Sequence, residues 1–89
     1  MTYQLAFRSH ERLAHQVQMN GTFGHTLHRP GQRQRLRALV TLQRTPRGID
    51  VTARLDEQTR HTIMPRGNPD NAQALAHLLE AMANWEGRQ

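Results

Sequence analysis

Arginine side chains recur at every second position in one short stretch of the sequence. Arg33, Arg35 and Arg37 occupy positions i, i+2 and i+4, a spacing that places all three on one face of a β-strand. A guanidinium group donates two parallel hydrogen bonds to a phosphate and is more weakly hydrated than an ammonium group. A row of these groups suits the closely spaced charges of a nucleic-acid backbone, so this stretch indicates a surface for polyanions.

The chain as a whole is basic. Its 89 residues include twelve arginines, no lysine and seven carboxylates, which gives a formal net charge of +5. A charge of this sign favours association with nucleic acid or with an acidic protein surface. The preference for arginine over lysine carries less information, because arginine and alanine both have GC-rich codons. The functional prediction therefore depends on where the arginines lie in the fold.

The sequence contains few residues suited to catalysis or metal binding. The chain has no cysteine, which excludes disulfides, thiolate zinc sites and cysteine nucleophiles. Its one serine, Ser9, adjoins His10 and Glu11, but a catalytic triad requires a base that the fold holds against the nucleophile. His25 and His28 are three residues apart, which points them to opposite faces of a strand. We expect no enzyme activity, no cofactor and no metal site.

A central hairpin is the element that positions the arginine stripe. Apolar residues alternate with polar ones on both sides of the turn Thr45-Pro46-Arg47-Gly48. A four-residue loop pairs Arg44 with Ile49 and leaves the apolar residues of both strands on one face, whereas a slip of one residue mixes the faces. The predicted core face comprises Leu36, Ala38, Val40 and Leu42 from the first strand and Ile49, Val51, Ala53 and Leu55 from the second.

The same register predicts what lies on the outer face of the hairpin. Arg37 then faces Asp56, and Arg54 lies across from Leu39, because directly opposed residues of antiparallel strands share a face. Arg54 thereby joins the stripe formed by the first strand.

The segment from Leu13 to Leu27 is ambiguous. Leu13, His15, Val17 and Met19 alternate as in a strand, and Asn20-Gly21 suits a tight hairpin turn. Alternatively, Ser9 caps a helix that runs through Leu13 and Val17 and ends at Asn20-Gly21. We favour two strands here, although a two-residue turn at Asn20-Gly21 would pair apolar residues of one strand with polar residues of the other.

Strands are also predicted at Tyr3 to Phe7 and at Arg60 to Met64, followed by a C-terminal helix. Asn68 is the expected cap, Pro69 suits the first turn, and Gly87 ends the helix. The apolar stripe of this helix recurs at the spacing of helical turns and comprises Ala72, Leu75, Leu78, Leu79, Met82 and Trp85. The predicted fold is therefore α+β: an antiparallel sheet of four to five strands over about residues 2–65, with one amphipathic helix over about 69–86 packed on one face.

Few aromatic side chains are available to stack on bases. Tyr3 and Phe7 share a strand face with Leu5, and Trp85 ends the helical stripe, so all three aromatics are predicted to lie in the core. Phe23 is the best candidate for an exposed aromatic. Since single-strand binders combine a basic groove with stacking aromatics, we expect backbone contacts with low sequence specificity.

These observations predict a single domain, residues 1–89, that binds DNA or RNA as a homodimer in the cytoplasm of a bacterium or in a phage. No apolar run reaches the length of a membrane span. The alternative is a protein-interaction module, such as a phage or mobile-element inhibitor or an assembly factor, that docks on an acidic surface. The predicted nucleic-acid-binding residues are Arg33, Arg35, Arg37 and Arg54 at the centre and Arg29, Arg44, Arg47, Arg60 and Arg66 at the periphery.

Overall fold

Five antiparallel strands and two helices make up the α+β fold of the computed structural model, which describes residues 2–85. The strands follow one another in the sheet in sequence order, from β1 at one edge to β5 at the other. In chain order the elements are β1 Gln4–Leu5, α1 Phe7–Gln16, β2 Gly21–His28, β3 Arg35–Thr45, β4 Gly48–Leu55, β5 Gln58–Met64 and α2 Asn71–Ala83. The antiparallel sheet and the C-terminal helix are confirmed, whereas the prediction of one helix is wrong.

The β3–β4 hairpin has the predicted register. Leu42 lies opposite Val51 and Leu39 opposite Arg54. The pairing continues to Thr45 and Gly48, so two residues form the loop instead of four. Gly48 has φ +142°, in the region that favours glycine.

Helix α1 replaces the first of the two strands favoured for the ambiguous segment. Ser9 and Leu13 are its buried residues, one helical turn apart on the same face. Strand alternation would have grouped Leu13 with His15 and Met19, but both of these side chains are exposed. Ser9 lies inside the helix and does not cap it, because Ala6 occupies the N-cap position.

Helix α2 is shorter than predicted. It begins at Asn71 after Asp70 as N-cap, while the Asn68 side chain accepts a hydrogen bond from the Asp70 N–H (2.9 Å) in the turn before it. The predicted end at residue 86 and the role of Gly87 lie outside the described residues. No helix among residues 2–85 is long and apolar enough to cross a membrane.

Both helices pack on the same face of the sheet. Leu13 of α1 and Leu75 and Leu79 of α2 join Val40 and Val51 in one buried cluster. Each of these five side chains is at most 1 % exposed. The helices therefore cover one sheet face, which we call the core face, and leave the opposite one, the outer face, free of any described element.

Three aromatic predictions are wrong. Phe7 is 75 % exposed because it starts α1 instead of ending β1. Trp85 is 53 % exposed because it follows the end of α2. Phe23, named as the best candidate for an exposed aromatic, is instead partly buried against the core, and Tyr3 is buried as predicted.

Candidate nucleic-acid interface

The outer face carries the arginines that sequence spacing placed there. Alternate residues of each strand point to it, and the observed pairings align them in rows across the sheet. Its members are Thr22, Gly24, Thr26 and His28 of β2, Arg35, Arg37, Leu39, Thr41 and Gln43 of β3, Asp50, Thr52 and Arg54 of β4, and Thr59, His61 and Ile63 of β5. Asp50 is the one carboxylate among these strand residues.

Arg35, Arg37 and Arg54 form a group that we call the arginine cluster. Arg35 and Arg37 are two residues apart on β3, about 7 Å along the strand. Arg54 lies opposite Leu39, which makes it a diagonal neighbour of Arg37. All three side chains are exposed, so the cluster presents three positive charges to solvent on one surface.

Gly24 makes room for the Arg37 guanidinium. A Cβ atom at position 24 would lie 2.8 Å from the guanidinium carbon of Arg37, closer than real Cβ atoms approach their neighbours. The Arg37 side chain therefore extends across β2 over a residue that has no side chain. The positive charge of Arg37 therefore lies above β2 on the outer face.

The outer face also carries a row of threonines and two exposed apolar residues. Thr22 and Thr41 lie opposite each other with their hydroxyl oxygens 3.0 Å apart, and Thr52 continues the row on β4. Leu39 is 41 % exposed and Ile63 is 45 % exposed. The predicted hairpin register already pairs Thr41 with Thr52. The threonines of β2 can be assigned to the same face only from the observed pairing of β2 with β3.

Two of the arginines predicted at the periphery lie on the core face. Arg60 pairs with buried Ala53 and Arg44 pairs with buried Ile49, and opposed residues share a face. Both arginine side chains are exposed, although they lie on the core face. Arg44 lines a cleft of about 370 Å³ between the end of α1 and the start of α2.

The remaining predicted arginines lie outside the strands. Arg33 precedes β3 in an irregular segment, so the i, i+2, i+4 stripe keeps only its second and third members on the strand. Arg47 is in the β3–β4 turn and Arg66 follows β5. Arg29 stacks on the ring of Tyr3, with its guanidinium carbon 4.5 Å from the ring centroid, which is the geometry of a cation–π contact.

A polar cluster that the sequence did not reveal lies where α1 meets β2. His25 is completely buried, and its Nε2 is 2.7 Å from Oε1 of Gln16. The Arg12 guanidinium donates a hydrogen bond to the Gly24 carbonyl. Burial lowers the pKa of His25 from 6.5 to about 4, and the positive charges of Arg12 and Arg37 add to this effect.

The histidines of β2 point to opposite faces, as their spacing predicts, since His25 is buried on the core face and His28 pairs with Arg35 on the outer face. Across residues 2–85, no three His, Asp or Glu side chains are grouped so that they could hold a metal ion.

Comparison with protein-family models, with curated proteins and with solved structures finds no match to this chain.

Proposed function

We propose that the protein binds the phosphate backbone of DNA or RNA through the arginine cluster, with low sequence specificity. The observation that carries this proposal is the exposure of Arg35, Arg37 and Arg54 together on the outer face of the sheet. Arginine contacts to phosphates position a protein on nucleic acid and carry no sequence information by themselves. The arrangement of the exposed aromatics agrees with this mode, because Phe7 and Trp85 belong to the helical side of the molecule.

The test is a titration of labelled oligonucleotides, followed by fluorescence anisotropy at several salt concentrations between about 50 and 200 mM. Three phosphate contacts give a slope of log K against log salt of about −2 for single strands and about −3 for duplexes. Replacing Arg35, Arg37 and Arg54 together by alanine removes most of this slope. Binding without salt dependence, or no binding at about 50 mM salt, contradicts the proposal.

A second candidate function is docking on an acidic protein surface. It is favoured by Leu39, which is 41 % exposed and lies directly opposite Arg54. Arginine beside exposed apolar area is typical of the residues that dominate protein interfaces. A pull-down with and without nuclease separates the two candidates: a partner that disappears with nuclease supports nucleic-acid binding, and a protein that persists supports docking.

A further inference from the structure

Strand β5 is an edge strand of the sheet, and within residues 2–85 no other strand pairs with its outer side along its whole length. At the opposite edge, Glu80 of α2 and Asn84, the C-cap residue of α2, accept hydrogen bonds from the backbone of the β1 segment: Asn84 from the Tyr3 N–H (2.7 Å) and Glu80 from the Leu5 N–H (2.8 Å). Where β2 extends beyond β1, Arg12 of α1 donates to the Gly24 carbonyl. By contrast, β5 is seven residues long and mostly exposed.

The unpaired backbone groups of β5 can be assigned from its pairing with β4. Leu55 and Gln58 flank a two-residue turn, so they exchange hydrogen bonds, and this exchange recurs at every second pair. The intervening residues, Thr59, His61 and Ile63, point their N–H and C=O groups away from β4. No residue of the described chain bonds to these outward groups. They form a ready template for another strand.

We propose that β5 pairs antiparallel with β5 of a second copy of this chain, about a two-fold axis beside His61. In this register His61 lies opposite the partner's His61, and Thr59 lies opposite the partner's Ile63. Each of these pairs exchanges two hydrogen bonds, so every outward group of Thr59, His61 and Ile63 is used in both copies. The interface is isologous, as in most protein homodimers. This inference does not depend on nucleic-acid binding.

The residues of β5 favour this register over its neighbours. Here Arg60 lies opposite the partner's Thr62, on the core-face side. A two-fold axis at Arg60 would instead oppose Arg60 to the partner's Arg60, and like charges directly opposite each other destabilise a strand pair. A two-fold axis at Thr62 would oppose Thr59 to the partner's Pro65, which has no N–H to donate.

Pairing at this edge stops at two copies. The two-fold pairing uses the same edge, β5, in both copies, and the backbone of the β1 segment at the other edge already bonds to Glu80 and Asn84, so β5 pairing by itself joins two copies and does not grow into a fibre. The two five-stranded sheets join into one. Ile63, which is 45 % exposed in the single chain, is covered by Thr59 of the partner subunit.

Single cysteines test the register directly, because the natural chain contains no cysteine. In the variant His61→Cys the two opposed Cα atoms are about 5.5 Å apart, within the range that a disulfide spans. Thr59→Cys and Ile63→Cys are matched controls on the same face of the same strand. Each control cysteine is about 14 Å from its own copy in the partner, four residues along the strand.

Under mild oxidation, His61→Cys is expected to form a disulfide-linked dimer, while Thr59→Cys alone and Ile63→Cys alone stay monomeric on a non-reducing gel. A mixture of Thr59→Cys and Ile63→Cys is expected to cross-link, because these positions oppose each other. Equal cross-linking of all three single variants indicates random collision and overturns the proposal. The absence of any cross-link overturns it as well.

Sedimentation of the unmodified chain tests the dimer without cysteines. The variant His61→Pro removes the central N–H of the edge, where proline is tolerated because this N–H points away from β4. His61→Ala is the matched control that keeps the N–H. We expect His61→Pro to raise the dimer dissociation constant about tenfold or more and His61→Ala to change it little, with circular dichroism confirming that both fold. An unmodified chain that stays monomeric up to about 1 mM overturns the proposal and leaves the edge to a foreign strand.

Discussion

His25 couples the stability of the fold to pH. It is completely buried against Gln16, and burial together with Arg12 and Arg37 lowers its pKa to about 4. In the unfolded chain the imidazole titrates near 6.5, so at acid pH the unfolded state binds a proton that the folded state does not. The contribution of neutral His25 to the free energy of unfolding is therefore complete above pH 6.5 and is lost as the pH falls towards 4.

Removing this group should flatten the pH dependence of stability. In the natural chain, His25 should lower the free energy of unfolding by about 3 kcal/mol between pH 6.5 and 4, and His25→Gln should remove this loss. The measurement is the free energy of unfolding in urea at several pH values. The variant His77→Gln, at an exposed position on α2, is the control and should keep the pH dependence of the natural chain. Equal pH dependence in His25→Gln and the natural chain would contradict the proposed role of His25.

At the scale of elements, α2 and its C-cap residue Asn84 hold β1 on the sheet through side chains. Strand β1 has two residues, too few to be stable from its own pairing. Asn84 bonds both backbone groups of Tyr3, through Oδ1 to the N–H (2.7 Å) and through Nδ2 to the carbonyl (3.0 Å). Glu80 accepts from the Leu5 N–H. The first strand therefore depends on two side chains that lie 75 and 81 residues later in the sequence than the backbone groups they bond.

We expect Asn84→Ala to detach the first strand locally. The amide protons of Tyr3 and Leu5 should exchange faster with solvent, and the free energy of unfolding should fall by about 1 kcal/mol. Glu80→Gln retains an oxygen acceptor for the Leu5 N–H and serves as the conservative control. Unchanged exchange at Tyr3 in Asn84→Ala would show that other contacts hold β1.

Whether an element could be predicted depended on whether its cause was local. The β3–β4 hairpin was predicted in register because period-two alternation and the turn at Pro46-Arg47 agree. Helix α1 was only the less favoured alternative, because it is held by bonds to β2 that sequence proximity does not show, such as the Thr26 N–H to the Ser9 hydroxyl (3.3 Å). The positions of the arginine cluster could be predicted from the hairpin register. The face on which Arg60 lies depends on how β5 pairs with β4, and the loop between these two strands did not predict that register.

At the scale of the whole molecule, net charge and charge placement are separate properties. The chain measures 41 × 24 × 18 Å and carries exposed arginines on both sides: Arg35 and Arg37 on the outer face, Arg44 and Arg60 on the core face. A net charge of +5 attracts a polyanion from any direction. The arginine cluster accounts for binding only if contacts on the outer face exceed this general attraction.

Two double variants with the same net charge distinguish these contributions. Arg35→Ala with Arg37→Ala, and Arg44→Ala with Arg60→Ala, each remove two positive charges and lower the formal net charge from +5 to +3. If the outer face makes the phosphate contacts, the first pair should weaken oligonucleotide binding about tenfold or more at low salt and reduce the duplex salt slope by nearly 2. The second pair should weaken binding by less than about threefold, through the net charge alone.

Equal unfolding midpoints in urea would show that neither double variant loses binding through loss of structure. The same loss of affinity in both would contradict a localised interface, because general attraction depends on total charge and not on the face that carries it. Greater loss from the Arg44 and Arg60 pair would move the binding surface to the core face, beside the cleft that Arg44 lines. The face whose arginines set the salt slope is therefore the face that meets the nucleic acid.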